Sequence, residues 1–206
     1  MTDAQPVLRG HALEVWRGHR CLFEGLDFTV EPGQLALVLG PNGSGKTTLL
    51  RTLAGLSPPT AGRVTLDGVD DRSLDPASRA RLAYNGHLDG LKRELTLEEN
   101  LQFYASLHGN GAEVRPLVAS LGLQAAAHVR TRDLSAGQRR RTALAALKLK
   151  GAALWLLDEP TTNLDAAGRG LVASWVREHC AAGGLALVAT HQPDAFAAPG
   201  TLVIEL

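Results

Sequence analysis

A glycine-rich segment, Gly40–Thr47, restricts the possible folds of this chain more than any other feature of its sequence. It reads GPNGSGKT, follows the apolar run Gln34–Leu39 and precedes a helical pattern from about Lys46 to Ala54. Glycines at this spacing let successive backbone N–H groups turn toward one point, and the amino end of the following helix adds partial positive charge there. A strand, a GxxxxGK[ST] loop and a helix in this order predict a site for nucleotide phosphates in an α/β fold.

Two side chains of this loop have specific expected roles. Lys46, one of only four lysines in the chain, is expected to bridge the β- and γ-phosphates and to be needed for catalysis, and Thr47 is expected to ligate Mg²⁺. The alternative is a glycine-rich turn with an incidental lysine, which the strand–loop–helix context disfavours. The residues expected to contact the nucleotide here are Gly40, Pro41, Asn42, Gly43, Ser44, Gly45, Lys46, Thr47 and Thr48.

A pair of acidic residues follows the apolar run Ala153–Leu157, which is typical of a buried strand. Asp158 and Glu159 end this run, at the position where ligands bind in open α/β sheets. We expect Asp158 to hold Mg²⁺, mostly through water, and Glu159 to be the catalytic base that polarises the attacking water. Two solvated acids at a strand end are the alternative, which the phosphate loop disfavours.

The periodicity elsewhere indicates a parallel sheet core with an amino-terminal antiparallel part and an inserted helical stretch. Apolar strands alternate with amphipathic helices after Ser135, as in a sheet covered on both faces. From about Pro76 to Arg132 the apolar spacing is helical, and Thr96 and Glu99 form a capping box that predicts a helix start. The predicted strands are Ala12–Trp16, Leu26–Val30, Gln34–Leu39, Arg63–Leu66, Ala153–Leu157, Leu185–Ala189 and Leu202–Glu205, and the other predicted helices are 113–121, 136–150 and 166–181.

Composition excludes several classes of protein. Lys plus Arg and Asp plus Glu each total 21, so the formal net charge is 0, which argues against a nucleic-acid partner. A hydrophobic content of 45% argues against intrinsic disorder. No apolar run is long enough to span a bilayer, the first residues show no signal-peptide pattern, and Cys21 and Cys180 form no CxxC pair. We therefore expect a soluble cytosolic protein.

The segment Leu134–Gln138 separates this chain from the other classes that a phosphate loop would fit, such as kinases, GTPases and RecA-like motors. Ser135 is placed to cap a helix and Gln138 to complete a capping box, so that the helix presents a hydroxyl and N–H groups to an anion. The segment reads LSAGQ and resembles the LSGGQ signature of ATP-binding-cassette (ABC) ATPases. A simple helix cap is the alternative, and we interpret the following Arg139–Arg141 as a solvated face.

The resemblance to ABC ATPases extends along the whole chain, with the motifs in the family's order. Thr162–Asp165 matches the D-loop, and His191, directly after a predicted strand, matches the switch histidine that contacts the γ-phosphate. The resemblance implies a single ABC ATPase domain over 1–206, with a helical subdomain inserted at about 88–150. It also implies that ATP and Mg²⁺ bind and that two chains form a homodimer in the ATP-bound state. The resemblance implies that Ser135 and Gly137 reach ATP on the opposite subunit, and that Gln138 and Asp165 also contact the nucleotide.

Two positions depart from the family's usual pattern. Family members place an aromatic ring under adenine, and here Trp16 and Arg17 compete for that place. Trp16 as a core residue is the alternative. At the Q-loop, His87 stands where a glutamine normally meets Mg²⁺ and the membrane partner, and its ring nitrogen could take over the contact with the metal.

Within the family, the chain resembles the ATP-binding subunits of the Ccm cytochrome c maturation system. The resemblance rests on the stretch Tyr84–Leu101, on LSAGQRRR, on WLLDEP and on Thr190–Pro193. It implies a peripheral subunit on the cytoplasmic face of the inner membrane, paired with an integral membrane permease subunit of the Ccm type. ATP hydrolysis would drive haem handling, and because the sequence has no CxxCH motif, the chain itself should not attach haem covalently.

Other functions remain open at this stage. One is an ABC subunit that serves another cargo, and a second is a soluble ABC ATPase that acts on DNA. The second class carries long coiled-coil insertions or duplicated cassettes, which this sequence lacks. A third is a non-catalytic nucleotide switch, which the intact Glu159 disfavours.

Overall fold

Two β-sheets and the helices packed on them form the part of the chain that the computed structural model describes, residues 7–70, 79–109 and 113–206. The described strands are β1 (Leu8–Arg17), β2 (Arg20–Val30), β3 (Leu35–Leu39), β4 (Ala61–Leu66), β5 (Val69–Asp70), β6 (Leu82–Asn85), β7 (Leu154–Asp158), β8 (Leu185–Ala189) and β9 (Leu202–Glu205). The described helices are α1 (Lys46–Leu53), α2 (Leu97–Leu107), α3 (Val114–Ser120), α4 (Ala136–Leu149) and α5 (Ala166–Ala181). None of these helices is long and apolar enough to cross a membrane.

The parallel sheet has the strand order β6-β7-β8-β3-β9 and separates two layers of the core. Strands β7 and β8 are buried at every position, and their alternate residues enter different clusters because side chains point to opposite faces. Leu154 and Leu156 pack with α1 and the antiparallel sheet. Trp155 and Leu157 pack with α2, α4 and α5. The sheet is therefore covered on both faces, as its near-continuous apolar strands predict.

The antiparallel sheet has the order β2-β1-β4-β5 and lies on the α1 side of the core. Strands β1 and β2 form a hairpin in which Arg17 pairs with Arg20 at the turn. Both strands of this hairpin extend beyond the predicted bounds. The prediction stopped short because the additional residues lack the regular apolar alternation that is typical of a strand. The predicted hairpin at Asp67-Gly68 is present, with Leu66 paired to Val69.

The carboxyl-terminal elements agree most closely with the sequence prediction. Helix α5 and strands β8 and β9 have the predicted bounds, α1 and α4 differ by one residue at one end, and α3 differs by one residue at each end. The capping box of α2 is confirmed: the Thr96 hydroxyl accepts from the Glu99 N–H at 3.2 Å, and Glu99 Oε2 accepts from the Thr96 N–H at 2.8 Å. The hydrogen bonds from Thr96 lower the pKa of the Glu99 carboxyl.

One element contradicts the prediction of a helical stretch from Pro76 to Arg132. Pro76 lies outside the described residues, but Leu82–Asn85 forms strand β6, paired in parallel with β7. Strand β6 lies in a stretch whose other apolar residues have helical spacing, and that spacing dominated the prediction. The first helix after β6 is α2, which begins at Leu97.

Burial of β7 allows a test of how the core stabilises this fold. Leu156→Ala should lower the free energy of unfolding by about 2–5 kcal/mol, because Leu156 is fully buried and the substitution leaves a cavity. Leu107→Ala should cost less than about 1 kcal/mol, because this leucine is 62% exposed. Urea unfolding of both variants would measure the two losses, and equal losses would contradict the core described above.

Candidate nucleotide site

The loop after β3 requires a glycine at position 40, because a side chain there would collide with neighbouring atoms. Gly40 has φ 147°, and a Cβ there would lie 2.6 Å from the Leu206 carbonyl oxygen and 2.7 Å from Ser44 Oγ. At the end of the loop, Gly45 occupies the N-cap of α1 and supplies no side-chain cap. The first N–H groups of α1 are therefore available to an external acceptor, as phosphate binding requires.

Lys46 is the cation of this loop. Its side chain is buried, and Nζ donates to the carbonyl oxygens of Gly40 at 2.7 Å and Pro41 at 3.1 Å. The ammonium group is thus fixed over the loop by two main-chain acceptors. Ser44 Oγ is also buried and has no hydrogen-bond partner among the residues that the structure describes.

Opposite the loop, two acidic side chains end β7. Asp158 is 1% exposed, and within the described residues its Oδ2 accepts no hydrogen bond but lies 3.6 Å from His87 Nε2. Glu159 Oε1 is also buried, accepts no hydrogen bond from the described part of the chain and lies 3.4 Å from His191 Nε2. Buried carboxylate oxygens normally have partners, so this pair is suited to a cation or a polar ligand.

The backbone at Glu159 adopts an unusual conformation. Its φ is 48°, in the left-handed region that non-glycine residues rarely occupy. Such a conformation costs on the order of 1–3 kcal/mol and persists where the surroundings determine it. Its N–H donates to the carbonyl of Ala189 at 2.9 Å, so the turn begins directly at the sheet edge.

The loop and the acidic pair face the same cleft, which encloses about 460 Å³. Residues predicted for the nucleotide, the metal and catalysis are therefore brought together here. Sequence reasoning missed Leu22, because residues 20–25 of β2 were not assigned to a strand. The lining residues are Leu22, Asn42, Gly43, Gly45, Lys46, Thr47, Thr48, His87, Asp158, Glu159 and His191.

The oxygen donors of the cleft fit a magnesium ion. Mg²⁺ prefers carboxylate and hydroxyl oxygens, usually one or two from the protein together with water and phosphate oxygens. Asp158 Oδ2 is an unpartnered buried carboxylate oxygen, and the half-buried Thr47 lines the same cleft. His87 also lines it, but its side chain is 66% exposed and an imidazole suits Mg²⁺ less well than oxygen does.

The signature segment lies at the exposed amino end of α4. Ser135 Oγ accepts from the Gln138 N–H at 3.2 Å, and Gln138 Oε1 accepts from the Ser135 N–H at 2.8 Å, which confirms the capping box. A Cβ at Gly137 would lie 2.8 Å from the Asn163 carbonyl oxygen, so the glycine permits close contact with the D-loop. Asp165 caps α5 by accepting from the Gly168 N–H at 2.7 Å. Among these residues, none lines the cleft of its own chain.

The two residues predicted to compete for adenine lie at the tip of the β1–β2 hairpin. Trp16 is 43% exposed, so the alternative that it fills the core is wrong. Its indole Nε1 donates to Glu14 Oε1 at 2.5 Å. Arg17 is exposed beside it, and neither residue lines the cleft around the phosphate loop.

The interpretation of the arginine triplet as a solvated face is wrong for Arg140. Its side chain is buried and donates to main-chain carbonyls at the ends of β6 and β7. The sequence held a signal for this, since Arg140 has helical spacing to Ala143, Leu144 and Leu147, all of which are buried in α4. We interpreted the three consecutive arginines as one charged surface, although Arg140 lies on the apolar face of α4.

Comparison with known proteins agrees with this architecture. The family model described as "ABC transporter" matches residues 23–162. The cytochrome c biogenesis ATP-binding export protein CcmA of Cupriavidus pinatubonensis is 47% identical over 190 residues, covering 91% of this chain and 84% of the relative. The protein of the same name from Rhodobacter capsulatus is 49% identical over 179 residues, covering 87% and 78%.

Solved structures share the fold. An ATP-binding subunit of an ABC transporter matches with a TM-score of 0.80 and 25% identity, over 92% of this chain and 81% of that one. The ATP-binding cassette MJ0796, a dimer bound to ADP and Pi, matches with a TM-score of 0.81 and 22% identity, over 97% and 94%. With its phosphate loop, acidic pair and signature segment in one α/β fold, the chain belongs to the ABC transporter ATPases, and among them to the family of the cytochrome c biogenesis ATP-binding export proteins.

Proposed function

We propose that this ABC ATPase binds ATP with Mg²⁺ and couples its hydrolysis to haem handling in the maturation of c-type cytochromes. The observation that carries the proposal is the cleft in which Lys46 and the uncapped start of α1 face the unpartnered oxygens of Asp158 and Glu159. Relatives that are 43–49% identical carry the name of cytochrome c biogenesis export proteins, which supports the cellular role.

In this proposal the phosphate loop binds the nucleotide through backbone N–H groups and a single cation. The N–H groups at the start of α1 meet the phosphates, and Lys46 exchanges a carbonyl contact for the β- and γ-phosphates. Thr47 and Asp158 hold Mg²⁺, which offsets the negative charge of the phosphates when bound. His87, the third predicted metal ligand, would contact Mg²⁺ from the exposed edge of the cleft.

Glu159 is proposed to be the catalytic base. Its buried Oε1 lies in the cleft and can accept a proton from a water molecule aimed at the γ-phosphate. His191, whose Nε2 lies 3.4 Å from this oxygen, is placed to orient the carboxylate and to donate toward the γ-phosphate. Base and orienting group therefore come from the ends of neighbouring strands, β7 and β8.

A complete site is proposed to need two chains. Ser135 is exposed at the start of α4 and does not line the cleft of its own chain, so it is available to a nucleotide held by a second copy. Gly137 and Gln138 lie in the first turn of the same helix, and Asp165 lies at the end of the D-loop, which contacts Gly137. The dimer described for the cassette MJ0796 supports a homodimer of this chain with ATP bound.

The membrane partner is proposed to be an integral permease subunit of the Ccm type, with this chain bound peripherally at the cytoplasmic face of the inner membrane. ABC ATPases act with membrane partners, and the named relatives belong to an export system. Adenine is proposed to stack on Trp16 or Arg17 at the β1–β2 turn. Residues 1–206 are proposed to form a single domain. The helical subdomain inserted in it at about 88–150 would move together with the membrane partner.

Hydrolysis tests the assignment of the base. Glu159→Gln should retain ATP binding and lose roughly 10²–10⁴ in turnover, the contribution of a positioned general base. Lys46→Ala should instead weaken ATP binding by at least about tenfold, because a hydrogen bond to a charged group contributes about 1.5–3 kcal/mol. Equilibrium binding of a fluorescent ATP analogue and phosphate release would measure both.

Lys92→Ala serves as the control for the loss of a lysine charge, because Lys92 lies over the Phe103 ring and not in the cleft. Near-normal turnover in Glu159→Gln would show that another group is the base.

Assembly tests the two-chain site. Glu159→Gln with saturating ATP and Mg²⁺ should sediment as a dimer, because the nucleotide is bound and not consumed. The double variant Lys46→Ala/Glu159→Gln should remain monomeric under the same conditions. A monomeric Glu159→Gln protein at concentrations well above the dissociation constant for ATP would contradict the two-chain site.

The cellular role is tested by introducing Glu159→Gln at the chromosomal locus of the source organism. Haem-stained c-type cytochromes should be lost, while the b-type cytochromes of the same membranes stay at their normal level because they need no covalent haem attachment. Normal c-type cytochromes in this strain would exclude the proposed role and favour another cargo.

A further inference from the structure

Arg140 of α4 makes an unusual set of contacts with the main chain. Its side chain is 5% exposed, and Nη2 donates to the carbonyl oxygens of Asp158 at 2.7 Å and Glu159 at 3.0 Å. Nε donates to the carbonyl oxygen of Pro160 at 3.4 Å, and Nη1 donates to that of Gly86 at 2.8 Å. One guanidinium group thus holds three consecutive carbonyls, beginning at the last residue of β7, and one carbonyl directly after β6.

Nearby carboxylates compensate the positive charge of the buried Arg140 side chain. Burial lowers the pKa of its guanidinium, and the carboxylates of Asp89 and Asp158 raise this pKa in opposition. Asp89 Oδ1 lies 3.8 Å from Nη1. Arginine remains protonated in proteins, so the buried group is a permanent cation whose donors are directed at backbone oxygens.

The carbonyls that Arg140 holds belong to the turn with unusual backbone geometry. Glu159 has φ 48°, and within the described residues its Oε1 accepts no hydrogen bond and has His191 Nε2 at 3.4 Å. The direction of the carboxylate therefore depends on His191 and on the backbone that carries it. Within the described residues, the Glu159 N–H donates to the Ala189 carbonyl, and the Glu159 carbonyl accepts from Arg140 and from the Thr162 N–H at 3.2 Å. Removing the guanidinium would leave this carbonyl with the Thr162 contact alone and would free the carbonyl of Asp158 from Arg140.

We propose that Arg140 is a positioning residue that holds the turn at 158–160 so that the Glu159 carboxylate faces the γ-phosphate. This role rests on the proposed function of Glu159 as the base. A planar fork with five donors can reach three carbonyls at once, whereas a lysine offers a single point of charge. The position is specific to Arg140 within the triplet. Arg139 Nη1 donates to the Leu134 carbonyl, and Arg141 Nη1 donates to the Leu121 carbonyl on the α3 side of α4.

The test compares Arg140→Met with Arg141→Met as the matched control, since both remove one guanidinium from α4. Single-turnover hydrolysis of ATP should slow by at least about tenfold in Arg140→Met, while the dissociation constant for ATP stays within about threefold of the wild-type value, because only the transition state depends on the direction of Glu159. Arg141→Met should hydrolyse ATP at a rate within about twofold of wild type. Thermal unfolding would verify that each protein is folded at the assay temperature.

A double-mutant cycle separates positioning from a general loss of structure. If Arg140 acts through Glu159, adding Arg140→Met to Glu159→Gln should change the residual hydrolysis rate by less than about twofold, because the positioned group is already absent. An equal slowing in both backgrounds, or slowing of Arg140→Met no greater than that of Arg141→Met, would overturn the proposal.

Conservative variants keep the test decisive if Arg140→Met does not fold. Arg140→Gln and Arg140→Lys retain fewer directed donors, and each should recover only part of the wild-type rate, with ATP affinity again unchanged. Full recovery by Arg140→Lys would show that charge alone is needed and would also overturn the proposal. A wild-type chain that does not hydrolyse ATP would instead refute the proposed function.

Discussion

Burial of the central parallel strands on both faces determines where this molecule can place its chemistry. Strands β7 and β8 have no exposed position, and β3 has only its last residue partly exposed. Polar groups are therefore confined to the strand ends, since an unpaired polar group inside the sheet would be costly. Parallel register aligns these ends, with Asp158 opposite Ala189 and Val38 also opposite Ala189. The phosphate loop, the acidic pair and His191 meet at one edge because of this alignment.

The sequence predicted those parts of the site that depend on local geometry. Gly40–Thr47 and the capping box at Ser135 act through backbone shape within a few residues, so a short pattern is sufficient to identify them. The long helical period of α5 and the uninterrupted apolar run of β8 likewise indicated their bounds. Strand β6 could not be predicted, because it lies in a stretch of helical spacing and exists through its pairing with β7.

Arg140 illustrates a different kind of limit. Charge patterns predict that arginines are solvated, whereas the position of Arg140 on the apolar face of α4 predicts burial. The conflict is resolved only by knowing that carbonyls at the ends of β6 and β7 lie within reach of that face. Such acceptors come from residues 18 to 54 positions away along the chain, and sequence spacing gives no indication of them. The buried charge of Arg140 therefore reflects its contacts with residues distant in the sequence, which local sequence preferences do not predict.

Helix α4 connects two places that would serve different nucleotides in a two-chain assembly. Ser135 caps its exposed end, and Arg140 lies five residues later, about 7.5 Å along the helix axis. In the proposed dimer, Ser135 meets ATP held by the partner, while Arg140 holds the turn of Glu159 in its own chain. A helix transmits displacement because its backbone hydrogen bonds fix the distance between its residues. In that dimer, a single helix would link the turn that carries one chain's proposed base to the same chain's contact with the ATP of its partner.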